Sequence, residues 1–329
     1  FSPDGWRLVA WSWKKQAIVW SVPEGRQMCV FEGHRDDIED AIFLGGGKHV
    51  ATAGRDSFVR IWNANSAKQI ASLDLGEWGH SLDLSPDGSF FASAGGGVRI
   101  WDAKRFNQAK TLETSSRGVK DIRFSPDGSM LAGAASDGTA SVWDLGSGKI
   151  LTVLSGQRGE LSSVAFSPDC RRLATSAEDG SVCVWSPTTG KLLSTYPGHE
   201  QWSTGVRFSA DGRCLLSTAF DETRVWDAKA QSEIQRFAVD GAPRDACFGA
   251  NGSYVVCGSR EGLRILDVET ATLIAEVRGL GSLARFACSP TDDVIAGGTP
   301  AGELMLWNAK SGGLIHTLPE VGELERIKY

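Results

Sequence analysis

An all-β chain of eight short four-stranded units is the fold class the sequence predicts, and three observations predict it. First, a Phe-Ser-Pro-Asp-Gly-like landmark recurs with its first residue at Phe1, Phe43, Leu84, Phe124, Phe166, Phe208, Phe248 and Cys288, at intervals of 42, 41, 40, 42, 42, 40 and 40 residues. Second, Trp followed by Asp, Asn or Ser falls at Trp20, Trp62, Trp101, Trp143, Trp185, Trp226 and Trp307, and Leu266-Asp267 takes the remaining slot. Third, no stretch of the 329 residues sustains a 3.6-residue apolar period, so helix is nearly absent.

Each unit reads as four strands divided by turn chemistry. In the fifth, residues 161–166 precede a Ser-Pro-Asp turn, 172–176 precede Glu-Asp-Gly, 182–185 precede Pro-Thr-Thr-Gly, and 192–196 end the unit. Runs of β-favouring residues bounded by Gly, Pro, Asp and Ser are strand and hairpin signals. A lone four-stranded sheet cannot bury both faces; radial stacking of such sheets does so and leaves only short edges.

With two landmarks in register over the whole chain, the sequence resembles the WD40-repeat β-propeller family. Eight third-strand landmarks imply eight blades, against the seven usual in that family. Residues 322–329 (GELERIKY) carry a first-strand pattern without its turn, placing Leu324, Ile327 and Tyr329 on Val119, Ile122 and Phe124. The expectation is a single eight-bladed propeller over 1–329, with 323–329 as the innermost strand of the blade formed by 6–31. The rival reading is an excerpt from a longer array.

The resemblance also implies a hydrogen-bonded set in each blade: a His before the first strand, Ser/Thr in the second, Asp in the next turn, and the Trp. Two units carry all four, His34, Thr52, Asp56 and Trp62, and His199, Ser217, Asp221 and Trp226. A third has Thr175, Asp179 and Trp185, with Gln157 in the His slot. The indole N–H is donor-only and a buried imidazole needs two partners, so a chained network satisfies both. Other blades have residues such as Ala10, Gly133 and Cys257 there and are expected to rely on packing. Structure outweighs catalysis as the role of both His/Asp pairs.

Composition excludes several function classes. With 34 Lys+Arg against 40 Asp+Glu the net charge is −6, opposed to a phosphate-backbone binder, and no apolar run reaches membrane-spanning length. The seven Cys form no C-x-x-C pair and read as reduced thiols, hence a cytoplasmic expectation. No phosphate loop, nucleophile elbow, zincin or calcium-loop motif occurs, so no catalytic residue, metal or cofactor is assigned. First-strand charges, Asp40, Asp83, Asp121 and Asp245 against Arg123, Arg207, Arg285, Arg326 and Lys328, suggest a mutually neutralising channel lining.

Of the 12 Trp, five lie outside the repeat landmark: Trp6, Trp11, Trp13, Trp78 and Trp202. Trp78 and Trp202 each stand six residues before a landmark, in the loop entering a first strand. Trp13, Arg55, Phe220 and Arg260 sit one residue before the turn-Asp slot. Aromatics and Arg concentrated on the rim that the family uses for binding have the composition of an interface hot spot. The competing reading is that each Trp folds over its own blade. The FSPDG turns resemble those of bacterial WD40 modules, which are often fused to effector domains as sensing or autoinhibitory parts. The expectation is therefore a non-catalytic scaffold or sensor whose partner is a protein, a peptide or another domain of its own polypeptide, not nucleic acid or membrane. A propeller hydrolase or lyase at the channel, and a structural assembly subunit, are the alternatives.

Overall fold

The computed structural model describes residues 1–12, 15–114, 118–196, 198–220, 222–238, 246–249, 252–259, 262–270, 272–278, 285–298, 303–318 and 324–327. They form eight four-stranded antiparallel sheets, the sheet set of an eight-bladed β-propeller. Blade 1 comprises Arg7–Ser12, Gln16–Ser21, Arg26–Glu32 and Leu324–Ile327. Blades 2 to 8 span 38–74, 81–112, 119–154, 161–196, 203–238, 246–278 and 285–318. Two compact units divide them: residues 1–79 with 239–329 hold blades 1, 2, 7 and 8, and residues 80–238 hold blades 3 to 6.

The last strand completes the first blade, as its pattern predicts. Leu324–Ile327 pairs antiparallel with Arg7–Ser12, Ala10 opposite Ile327 and Trp11 opposite Arg326. Residues 323, 328 and 329 of the expected strand lie outside the described residues.

Within each unit the core lies between neighbouring sheets. Leu8, Ala10, Ile18 and Trp20 of blade 1 pack with Ala296, Leu304 and Leu306 of blade 8, while Val9, Trp11 and Val19 pack with Ile38, Val50 and Trp62 of blade 2. A strand covered on both faces loses the usual polar alternation. Second strands accordingly read MLAGAA and LATSA and are buried throughout, their small residues letting adjacent sheets approach. Outer strands instead follow patterns such as eeieB, with most positions turned to solvent.

The Ser-Pro-Asp-Gly landmark is a self-capped turn. Asp87, Asp127 and Asp211 each accept the hydroxyl of the preceding Ser (85, 125, 209) at 2.6 Å and the backbone N–H two residues on at 3.0 Å. The same Ser oxygens accept the N–H groups of Phe90, Met130 and Cys214 at 2.9 Å. The following Gly adopts φ of +67° to +71° at Gly88, Gly128 and Gly212, a left-handed conformation that only Gly takes without strain. Cys170 occupies that slot in blade 5 at φ +57°.

A further periodic device was not read from the sequence. In all eight blades the pairing of third and fourth strands slips by one residue at the Trp landmark. The unpaired residue is always eight past the landmark: Met28, Ile70, Ala109, Leu151, Leu193, Ile234, Ile274 and Ile315. Such bulges strengthen local twist and turn an edge strand away from flat pairing with other chains.

The reduced-thiol expectation is corrected. Cys247 and Cys288 form a disulfide joining the first strands of blades 7 and 8, while Cys29, Cys170, Cys183, Cys214 and Cys257 remain thiols. The pair is separated by 41 residues, one repeat, so stacking brings together cysteines that no local spacing rule connects. Alkylation under denaturing conditions without reductant is expected to label five cysteines, and seven after reduction. Seven labels in the unreduced sample would contradict the disulfide.

Candidate partner-binding rim and the network beneath it

The buried scaffold of blade 2 contains the expected set, linked as a relay. The Trp62 indole N–H donates to Thr52 Oγ1 at 2.8 Å, and Thr52 Oγ1 lies 2.7 Å from His34 Nε2. His34 Nδ1 lies 2.9 Å from Asp56 Oδ1. A neutral imidazole protonated on Nδ1 satisfies every group: it accepts the Thr52 hydroxyl proton and donates to the carboxylate. The other Asp56 oxygen takes the Arg35 N–H at 2.8 Å and a 2.9 Å ion pair from Arg60. Burial alone would raise the pKa of Asp56; hydrogen bonds from His34 and the Arg35 amide, with the charge of Arg60, overcome it and bring it to about 2. Both oxygens of the carboxylate and both imidazole nitrogens are engaged within the blade.

Blade 6 repeats the hydroxyl bridge between indole and imidazole. His199 Nε2 lies 2.8 Å from Ser217 Oγ, which also accepts the Trp226 indole N–H at 2.8 Å. The carboxylate facing His199 Nδ1, at 3.2 Å, belongs to Glu222; Asp221 lies outside the described residues. Glu222 is also bound by Arg224, whose guanidinium lies 5.5 Å from the Trp226 ring centroid. Arg60 and Arg224 share one repeat position, two residues before the Trp, where sequence reasoning saw only a β-strand. An Arg at that spacing is the signal that was available.

The remaining blades improvise. In blade 5 Thr175 bonds Gln157, Gln157 Nε2 reaches Ser181 Oγ at 2.9 Å, and Trp185 donates to Thr175 at 2.8 Å. Asp179 accepts the Arg158 N–H at 2.9 Å instead of contacting Gln157. Ser93 serves Trp101 at 2.8 Å. Blade 4, with Gly133 in the hydroxyl slot, does not rely on packing alone: Trp143 donates to the Glu113 carbonyl at 2.7 Å. In blade 1, with Ala10 there, the Trp20 indole N–H is buried without a partner among the described residues.

Two first-strand carboxylates latch onto the neighbouring blade. Asp121 accepts Ser163 Oγ at 2.9 Å and Val164 N–H at 3.1 Å from blade 5, besides a 3.0 Å pair with its neighbour Arg123. Asp83 accepts the Phe124 N–H of blade 4 at 2.7 Å, and Asp40 accepts the Ala41 N–H at 2.8 Å. The side chains of Asp245, Arg285, Arg326 and Lys328 lie outside the described set.

On the rim, Trp78 is 55% exposed. Its loop is pinned to blade 2 by Leu75 N–H to Ser57 O at 2.8 Å and Gly79 N–H to Gly54 O at 3.1 Å, with Leu75 buried. The Arg55 guanidinium lies 5.5 Å from the Trp78 ring centroid and pairs with Glu39 and, at 3.7 Å, Asp37. Trp202 is 38% exposed, meets Phe220 edge-on at 6.0 Å, and donates its indole N–H to Ser162 at 2.7 Å. Trp13 and Arg260 lie outside the described residues. Of the other non-landmark tryptophans, Trp11 is core and Trp6 is exposed.

The sequence profile of the WD domain, G-beta repeat family matches residues 25–63, 76–102, 106–144, 148–186 and 190–227. Small ribosomal subunit protein RACK1y of Oryza sativa subsp. japonica is 28% identical over 153 residues, 44% of this chain and 46% of that protein. Human angio-associated migratory cell protein is 26% identical over 44% of this chain and 33% of its own length. Human apoptotic protease-activating factor 1 is 26% identical over 38% of this chain and 11% of its own length. Each match thus spans less than half of the curated relative. A crystal structure of the computationally designed Ika8 protein superposes with a TM-score of 0.80 at 22% identity, covering 92% of this chain and 93% of that one, a likeness of fold.

The vacant acceptor beside Trp20 yields a paired test. Ala10→Thr and Ala10→Val add nearly equal volume, but only Thr supplies an oxygen where Thr52 serves Trp62. Thermal or urea unfolding is expected to show the Thr variant more stable than the Val variant by about 1 kcal/mol; equal stabilities would contradict the relay. The profile covers more than half of the chain, the indole relay recurs blade after blade, and this chain belongs to the WD domain, G-beta repeat family.

Proposed function

We propose that this chain is a non-catalytic interaction scaffold that presents the loops entering its first strands, and its second-to-third-strand turns, to a partner protein or peptide or to another domain of the same polypeptide. The observation that carries the reading is Trp78, held outward on a loop pinned at both ends instead of folded over its blade. An exposed Trp next to an Arg on a rigid support is the makeup of a binding hot spot, and a pre-ordered loop lowers the entropic cost of association. The rice relative's name places it in the small ribosomal subunit, and one human relative is named as a protease-activating factor; both names fit a protein that works in company. The net charge of −6 favours a protein partner over nucleic acid. No helix among the described residues is long and apolar enough to cross a membrane. The disulfide removes the support that reduced thiols lent to a cytoplasmic location.

The test compares partners captured by the wild-type chain with those captured by a Trp78→Ser/Trp202→Ser variant, identified by mass spectrometry after unfolding curves show both proteins folded. Loss of specific partners with an unchanged melting curve is expected. An unchanged partner set would remove the rim reading.

A further inference from the structure

Trp78 stands in an unbalanced electrostatic setting. Its own loop carries Asp74 and Glu77, both exposed, and neither makes an ion pair with a described residue. Among the described residues Asp74 accepts the Gly76 N–H of its own loop, at 2.7 Å. Across the blade, Arg55 bridges from Trp78 to Glu39 and Asp37, and the exposed Asp36 adjoins Asp37. The cations at these segments are Arg55, already matched by its two carboxylates, the exposed Arg35, and the exposed Lys15, whose ammonium donates to the Arg35 carbonyl at 2.8 Å; Arg60 is buried on Asp56. Five carboxylates, Asp36, Asp37, Glu39, Asp74 and Glu77, therefore stand against three cations on the segments beside one exposed indole.

The indole ring surface is electron-rich and attracts cations, Arg most often, with added gain when carboxylates flank the ring. The molecule already uses this chemistry on itself, since Arg55 is stationed over the same ring. Backbone bonds at Leu75 and Gly79 fix the loop, and Gly79 allows its closeness: a Cβ there would stand 2.8 Å from Leu75 Cδ1 and 3.1 Å from Ala53 Cβ. Trp202 differs, its N–H committed to Ser162 and its ring to Phe220.

We infer that the Trp78 patch receives a basic segment of a partner protein, an arginine side chain lying against the indole with its charge toward Asp74 and Glu77. The inference rests on the rim's being a partner surface and names the chemistry of that partner.

The experiment measures fluorescence anisotropy of labelled Arg-rich, Lys-rich, Leu-rich and Glu-rich decapeptides titrated with the whole chain at low and high salt. The Arg-rich peptide is expected to bind best, and to weaken with salt. Trp78→Ala should weaken it roughly 3- to 30-fold, Trp78→Phe less, and Asp74→Lys/Glu77→Lys by about 10-fold or more. Glu269→Lys, an exposed reversal elsewhere, should leave affinity within about twofold. Unfolding curves matching wild type confirm folded variants. Equal binding to wild type, Trp78→Ala and the Asp74/Glu77 reversal would overturn the inference, as would no binding of the Arg peptide or preference for the Leu or Glu peptide. If the Trp78→Ser/Trp202→Ser variant still loses its captured partners in that case, the rim stands and only the basic partner falls. If capture is also unchanged, both fall.

Discussion

A β-sheet that is apolar on both faces has to be covered on both, and most of this structure follows from that constraint. It explains why second strands such as MLAGAA and LATSA carry small residues, why each third strand has a large aromatic or aliphatic residue at its last or next-to-last position, and why the core is divided among sheet-to-sheet seams. Truncating a buried Trp costs on the order of 3–5 kcal/mol, a large fraction of the about 5–15 kcal/mol that holds a domain folded. A single hydrogen bond contributes about 1 kcal/mol. Packing therefore fixes the Trp landmark, and the relay beneath it is free to vary.

That ordering accounts for the variation among blades. Once an indole is buried by packing, its N–H needs only some acceptor, and Thr52, Ser93, Thr175, Ser217 or the Glu113 carbonyl all serve. Among the described residues a carboxylate faces each imidazole, Asp56 in blade 2 and Glu222 in blade 6.

Features repeated at one position were legible in the sequence: the Ser-Pro-Asp-Gly turns, the Trp positions and the pattern at 324–327 that completes blade 1. Features that need a neighbour were not. The Asp121 latch and the Cys247–Cys288 bond each join residues about one repeat apart, so they appear only when blades are stacked. The bulge residue was periodic too, but its aliphatic character resembles any strand position, and only the slipped pairing shows its role. For Trp78 the sequence placed the residue in a loop; whether it lay over the blade or outward depended on backbone bonds at Leu75 and Gly79.

A binding loop is only as well positioned as the sheet that carries it, so the account turns on the sheets being complete, blade 1 included. Its second strand, Arg7–Ser12, has an intrachain partner on both sides only because Leu324–Ile327 pairs with it. Amide hydrogen exchange tests this most directly. Segment 324–327 is predicted to exchange as slowly as the corresponding first strands 119–124 and 161–166, and segment 7–12 as slowly as the second strands 130–135 and 173–177. Rapid exchange of 324–327, with 7–12 exchanging like an exposed edge, would contradict the completed blade and the rigid scaffold built on it.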